Sequence, residues 1–223
     1  MLDFKNVEYS YSNQPVFSKL NFELSQSEFC FLIGKSGAGK STLLQLIYMN
    51  ILPTQGRISF DEYDSRTIKP RNLPLLRRKL GIIFQDFKLL KDRNVYENLS
   101  FVLESTNKSS GEIKKKVNDV LTDVGLSHRR HSMPNELSGG EKQRIAIARA
   151  IVNDPILILA DEPTGNLDPE TSLEILEIIK KINLRGTAVI FATHNYELLK
   201  SYNAKIIRIE GGKASKVVIK PKQ

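Results

Sequence analysis

The segment at residues 27–49, SEFCFLIGKSGAGKSTLLQLIYM, constrains this chain more than any other. An apolar run, Phe29 to Ile33, reads as a buried strand. A glycine-rich turn follows, and the spacing after it predicts a helix. The turn fits G-x-x-x-x-G-K-[ST] in the strand–turn–helix context the pattern requires. Its glycines let the backbone curl until its N–H groups point at a phosphate. Lys40 is placed to reach the outer phosphates, and the Ser41 hydroxyl to serve as a Mg²⁺ ligand.

Around this segment, alternation of apolar and polar residues predicts two antiparallel strands over MLDFKNVEYSY and KLNFELS, joined by a loop at 12–15. GRISFDEYD reads as one short strand, and PLLRRKLGIIFQD as a helix end followed by a buried strand. From about 86 to 135 the pattern turns helical throughout. Ile113, Val117, Val120, Leu121 and Val124 form a stripe at helical steps, leaving Lys114, Lys115 and Lys116 on a solvated face. After Leu137, a helix from Glu141 leads into strand ILILAD. A helix near 171–182, strand AVIFAT, a helix from Tyr196, and strands AKIIRIE and ASKVVIK follow. Strands alternating with helices imply a mostly parallel sheet with helices on both faces, interrupted by an inserted helical unit.

ILILADEP carries the second chemical signal. It is an apolar strand ending in two carboxylates, at the edge where such sheets bind ligands. Asp161 suits Mg²⁺ coordination, and Glu162 suits polarising an attacking water. LSGGEKQR carries the third, because Ser138, Gly139 and Gly140 open a helix whose N-terminal N–H groups favour phosphate.

Taken in order, these elements closely resemble the ATP-binding cassette (ABC) ATPases over residues 1 to about 215. The matching elements are Tyr11, the phosphate loop (Gly34, Lys35, Ser36, Gly37, Ala38, Gly39, Lys40, Ser41, Thr42), Gln85, the LSGG signature, ILILADEP, GNLD ending at Asp168, and His194. The resemblance implies a P-loop NTPase fold of α/β class. Residues 1–85 and 136–223 would form a RecA-like core with an N-terminal antiparallel β part, and residues 86–135 a helical subdomain. It also implies a reason for two phosphate-binding turns in one chain. Two cassettes pack head to tail, and the signature of one (Ser138, Gly139, Gly140) covers the ATP held by the other.

In the same way the resemblance implies that Gln85 touches Mg²⁺, Asp168 crosses the dimer interface, and His194 contacts the γ-phosphate and holds Glu162 and the water in line. Family spacing places Tyr11 on the adenine; alternation puts Tyr9 on the same face, so the pattern alone does not choose between them. GIIFQDFKLLKDRNVYENLSF, ADEPTGNLD and ATHNYELL resemble the cell-division members of the family, whose membrane partner is FtsX. Relatives that drive lipoprotein release or macrolide and peptide efflux share ADEPTGNLD. Docking of such a partner is expected near residues 85–90, where Phe87, Leu89 and Leu90 are apolar; packing in the helical subdomain is the other reading of those residues.

Composition narrows the remaining classes. No apolar run approaches the roughly 20 residues of a membrane span. The N-terminus lacks a signal-peptide pattern. The single Cys30 excludes an internal disulfide or a cysteine metal cluster and reads as a small buried hydrophobe. These features point to the cytoplasm, with attachment to the inner membrane face through a partner. The net charge of +8 suits an anionic partner or simply a basic surface. Lys205, Arg208, Lys213, Lys216, Lys220 and Lys222 near the C-terminus suit either lipid headgroups or a soluble end. Nucleic acid is not expected, because the chain lacks a coiled-coil insertion, a zinc cluster, a second cassette and basic patches rich in aromatics.

Overall fold

The computed structural model describes residues 1–12 and 14–217. Among these, two sheets form. A four-stranded antiparallel sheet has the order β2-β1-β4-β5, built from β1 (Leu2–Tyr11), β2 (Gln14–Leu24), β4 (Gln55–Phe60) and β5 (Tyr63–Asp64). A six-stranded sheet has the order β10-β9-β3-β8-β7-β6. Its strands are β3 (Phe29–Ile33), β6 (Leu80–Ile83), β7 (Leu157–Asp161), β8 (Ala188–Thr193), β9 (Lys205–Glu210) and β10 (Lys213–Val217). Only β10 runs antiparallel to its neighbour.

The period-2 geometry of a strand explains why β3, β7 and β8 are apolar without a break: both faces are covered. Phe29, Phe31 and Ile33 join Ile158, Ala160, Val189 and Phe191 in one core. Cys30 and Leu32 join Leu157, Leu159, Ile190 and Ala192 in the other. The first core is closed by α3 (Val95–Glu104), α4 (Ser110–Asp123), α5 (Gly139–Ile151), α6 (Pro169–Leu184) and α7 (Glu197–Lys200). The second is closed by α1 (Lys40–Ile47), α2 (Leu73–Arg78) and the antiparallel sheet. Both faces thus carry helices, as the alternating pattern predicts. Val117, Val120, Leu121 and Val124 are buried, with Ile113 packed against them, so the stripe of α4 faces the core.

Three expectations shift in detail. GRISFDEYD is a hairpin rather than one strand, because Asp61 takes a left-handed conformation (φ 52°) and turns the chain between β4 and β5. The helix expected from Glu141 begins at Gly139, because Ser138 caps it. The helix expected from Tyr196 is four residues long. The remainder of ASKVVIK, with Lys220 and Lys222, lies outside the described residues, as does Asn13 of the first loop.

Candidate active site

The phosphate loop joins the C-terminal end of β3 to α1. Gly39 has φ 101°, where side chains are strained, and a Cβ there would lie 2.9 Å from Val16 Cγ1 and 3.0 Å from the Phe17 ring. Lys40 is only 5% exposed. Its ammonium donates to the carbonyls of Gly34 (3.0 Å) and Lys35 (3.3 Å), so it straps the loop from inside. Helices α3, α4, α5 and α6 are each capped by a side chain, respectively Asn94, Ser109, Ser138 and Asp168. Helix α1 has no side-chain cap and no acid in its first turn. Its first N–H groups are left for an anionic ligand.

The ends of β7 and β8 converge on this loop. Burial lifts the Asp161 carboxyl above its ordinary range, against the pull of a hydrogen bond from Ser41. Glu162 follows in a left-handed conformation, φ 47°, fixed by donation of its N–H to the Ala192 carbonyl at 3.0 Å. Its carboxylate is shared. Oε1 lies 3.2 Å from Lys40 Nζ, and Oε2 lies 2.8 Å from His194 Nδ1. Glu162, Thr164, Gly165, Thr193, His194 and Tyr196 are among the residues lining an open cleft of about 350 Å³.

Gln85 joins this group from the turn after β6. The Gln85 carbonyl accepts from Asn166 Nδ2 at 3.2 Å, and its amide lies against Gly165, where a Cβ would come within 3.0 Å of Nε2. Ser138, Gly139, Gly140 and Asp168 form a second group. A Cβ on Gly140 would lie 2.9 Å from Thr171 Cγ2, and one on Gly139 would lie 3.4 Å from Leu167 Cδ2. The signature turn is therefore packed on the start of α6. Asp168 caps that helix, accepting from Thr171 N (2.9 Å) and Thr171 Oγ1 (2.6 Å), bonds that hold its carboxyl below the usual range. One group gathers at the phosphate loop and the other at the signature turn, and Leu167, which lies against Gly139, lines the same cleft as Glu162 and His194.

Residues 17–165 match the family model for the ABC transporter. The chain belongs to the ABC transporter ATPase family. Over 213 residues the cassette is 45% identical to the cell division ATP-binding protein FtsE of Bacillus subtilis, covering 95% of this chain and 93% of that protein. Identity to FtsE of Escherichia coli is 41% over 213 residues, covering 95% and 96%. The solved dimeric structure of MJ0796, a bacterial ABC transporter cassette, superposes with a TM-score of 0.85 at 33% identity, covering 97% and 98% of the two chains. A dimeric post-hydrolysis structure of the same cassette, bound to ADP and Pi, gives 0.85 at 32% identity, again covering 97% and 98%. The cassette is an ABC-type ATPase subunit.

At the end of β1, Tyr11 is 44% exposed. Tyr9 stands edge-on to it at 5.0 Å and packs against the core, where burial raises its phenol. Of the two tyrosines, Tyr11 is the one with a free face. Leu89 packs against the core, so of the apolar residues after Gln85 it is partly taken up by packing. Sequence reasoning missed Glu141, whose carboxylate accepts from Ser138 N at 2.8 Å and from Arg129 Nε at 2.9 Å. The S-x-x-E spacing was the available signal. It also missed Asn166, which holds Gln85 and sits inside the GNLD motif.

Proposed function

We propose that this cassette binds ATP at the phosphate loop, closes with a second copy of itself around two ATP molecules, and hydrolyses them to drive a membrane partner. The observation that carries the reading is the shared Glu162 carboxylate, with one oxygen on Lys40 and the other on His194. The ATP phosphates would take the Lys40 cation and the free N–H groups of α1. Glu162 Oε1 is then released toward a water, for which Glu162 acts as general base. His194 holds the other oxygen and keeps the carboxylate in line.

Among the described residues no group of three or more His, Cys, Asp or Glu side chains is arranged to hold a metal unaided. The Ser41 hydroxyl hydrogen-bonded to the Asp161 carboxyl brings two oxygen donors together, which suits Mg²⁺, an ion that commonly binds through one or two carboxylates and completes its shell with phosphates and water. Ser41, Asp161 and Gln85 would supply the protein ligands, and the ion would neutralise charge on the phosphates.

The surface made by Ser138, Gly139 and Gly140 would cover the γ-phosphate held by the second copy, with Asp168 at that interface. The dimeric structures of a similar cassette support this arrangement. Similarity to FtsE proteins supports a role in cell division, with an FtsX-like membrane protein as partner. No described helix is long and apolar enough to cross a membrane, so attachment at the inner face would run through that partner. Partly exposed Phe87 and Leu90 offer its docking contacts beside Gln85.

The test is a pull-down of the Glu162→Gln protein from detergent-solubilised membranes with ATP, read by mass spectrometry. An FtsX-like protein is the expected result. A lipoprotein-release or efflux permease would replace the cell-division reading while leaving the ATPase chemistry intact.

A further inference from the structure

The turn after Gln85 is built in an unfavourable way. Phe87 (φ 61°) and Lys88 (φ 50°) are consecutive left-handed residues, and neither is glycine. Such residues persist only where the surroundings over-determine them. The carbonyls of both point at one side chain, Arg149, in the last turn of α5. One guanidinium nitrogen donates to Phe87 O at 2.9 Å and the other to Lys88 O at 2.5 Å. No carboxylate lies within ion-pairing distance of Arg149 among the described residues, and burial pushes its pKa down. A half-buried cation whose hydrogen bonds go to two backbone carbonyls is placed to hold those carbonyls.

Two further clamps fix the same loop. Asn98, 1% exposed, accepts from Leu90 N at 2.8 Å and donates to Leu90 O at 3.1 Å. Asn166 donates to Gln85 O. Of the three, Arg149 alone belongs to the helix whose other end is the Ser138–Gly140 turn. Thirteen residues of α-helix form a stiff rod about 20 Å long.

We propose that Arg149 is a positioning residue for Gln85. By its fork on Phe87 O and Lys88 O, it ties the loop carrying Gln85 to α5, so that a shift at the signature turn is felt at the phosphate site of the same chain. The inference rests on Gln85 acting at that site, as argued above.

The test is a double-mutant cycle on full-length protein. Arg149→Met keeps the aliphatic stem and removes the donors. Arg149→Lys keeps the charge but presents an ammonium in place of the planar fork. ATP affinity by fluorescence titration, kcat, KM and Tm are measured for each, alone and with Gln85→Ala. The expected result is that Arg149→Met lowers kcat between about 10- and 100-fold, as displacing a catalytic group by about an ångström does. ATP affinity should stay within about twofold, since the phosphate loop is untouched, and Arg149→Lys should recover part of kcat. In the Gln85→Ala background, Arg149→Met should have no further effect on kcat. Multiplicative losses, or a kcat unchanged by Arg149→Met, would overturn the proposal. A Gln85→Ala protein with full activity would instead remove the site reading beneath it. Should Arg149→Met fail to fold, the cycle is run with Arg149→Lys, whose additivity or lack of it decides the matter.

Discussion

Ser138 holds two positions at once, and substitution can separate them. In the folded chain its hydroxyl accepts from Glu141 N at 3.2 Å, and the Glu141 carboxylate accepts from Ser138 N at 2.8 Å, closing a capping box. In the ATP sandwich the same hydroxyl would meet the partner's γ-phosphate. Ser138→Ala removes the cap, a loss of about 1 kcal/mol. In a chain of this size that lowers Tm by about 2–4 °C. It also removes one charge-assisted contact from each of two symmetric sites. At about 1.5 kcal/mol each, the ATP-dependent dimer weakens on the order of 100-fold. Ser138→Asp keeps the cap and adds a charge favoured at a helix N-terminus, so stability should hold or rise. The same charge faces the phosphate, and the dimer should disappear. The assays are thermal unfolding by circular dichroism and light scattering with ATP in a Glu162→Gln background. A Ser138→Asp protein that dimerises normally refutes the two-surface argument. A Ser138→Ala protein that melts with the parent refutes the capping argument.

Glu162→Gln should retain ATP binding and lose about 100-fold or more in hydrolysis, the usual worth of a general base; normal turnover in a phosphate-release assay would refute that role. Asp161→Asn should raise Tm in EDTA at neutral pH while abolishing Mg²⁺-dependent hydrolysis. Burial raises the folded pKa of Asp161, so the stability its carboxyl contributes is present below the ordinary carboxylate range and lost as pH rises through the raised value. The Tm gap between the two proteins should therefore shrink toward pH 4, and a gap that grows there would reverse the assignment. Cys30 is fully buried, and burial pushes its thiol up to about 12, so iodoacetamide at pH 8 should label it only after unfolding; labelling of native protein at the rate of a free thiol would contradict the packing.

What was legible in the sequence follows from the range of the forces involved. Continuous apolar runs gave β3, β7 and β8, because a strand covered on both faces has no polar positions. The stripe of α4 was legible for the same reason at helical period. The turn at Asp61 was not, because one left-handed residue between two short runs leaves no mark on an alternation pattern. Ser138 was read as a ligand and not as a cap because both readings want a hydroxyl before a helix; only Glu141, three residues on, distinguishes them. The Arg149 clamp had no signal at all. Its partners are backbone carbonyls 61 and 62 residues away, and a carbonyl has no sequence identity.

The capping pattern also bears on the order of events at the site. Helix α1 lacks a side-chain cap, whereas α5 caps its own N-terminus with Ser138 and brings the Glu141 carboxylate to it. Arg129 offsets part of that charge, but the positive end of α5 is partly neutralised before any ligand arrives. The phosphate loop offers unused N–H groups and a buried Lys40. The signature turn offers a hydroxyl already in use and a helix end already matched by an acid. Phosphate should therefore bind the loop first, and the signature should add affinity only when a second chain presents an ATP already held. On this argument Lys40→Ala should bind no ATP detectable by fluorescence titration, despite an intact signature turn. Retention of near-parental ATP affinity by Lys40→Ala would show that the signature surface binds nucleotide on its own, and the proposed order would fail.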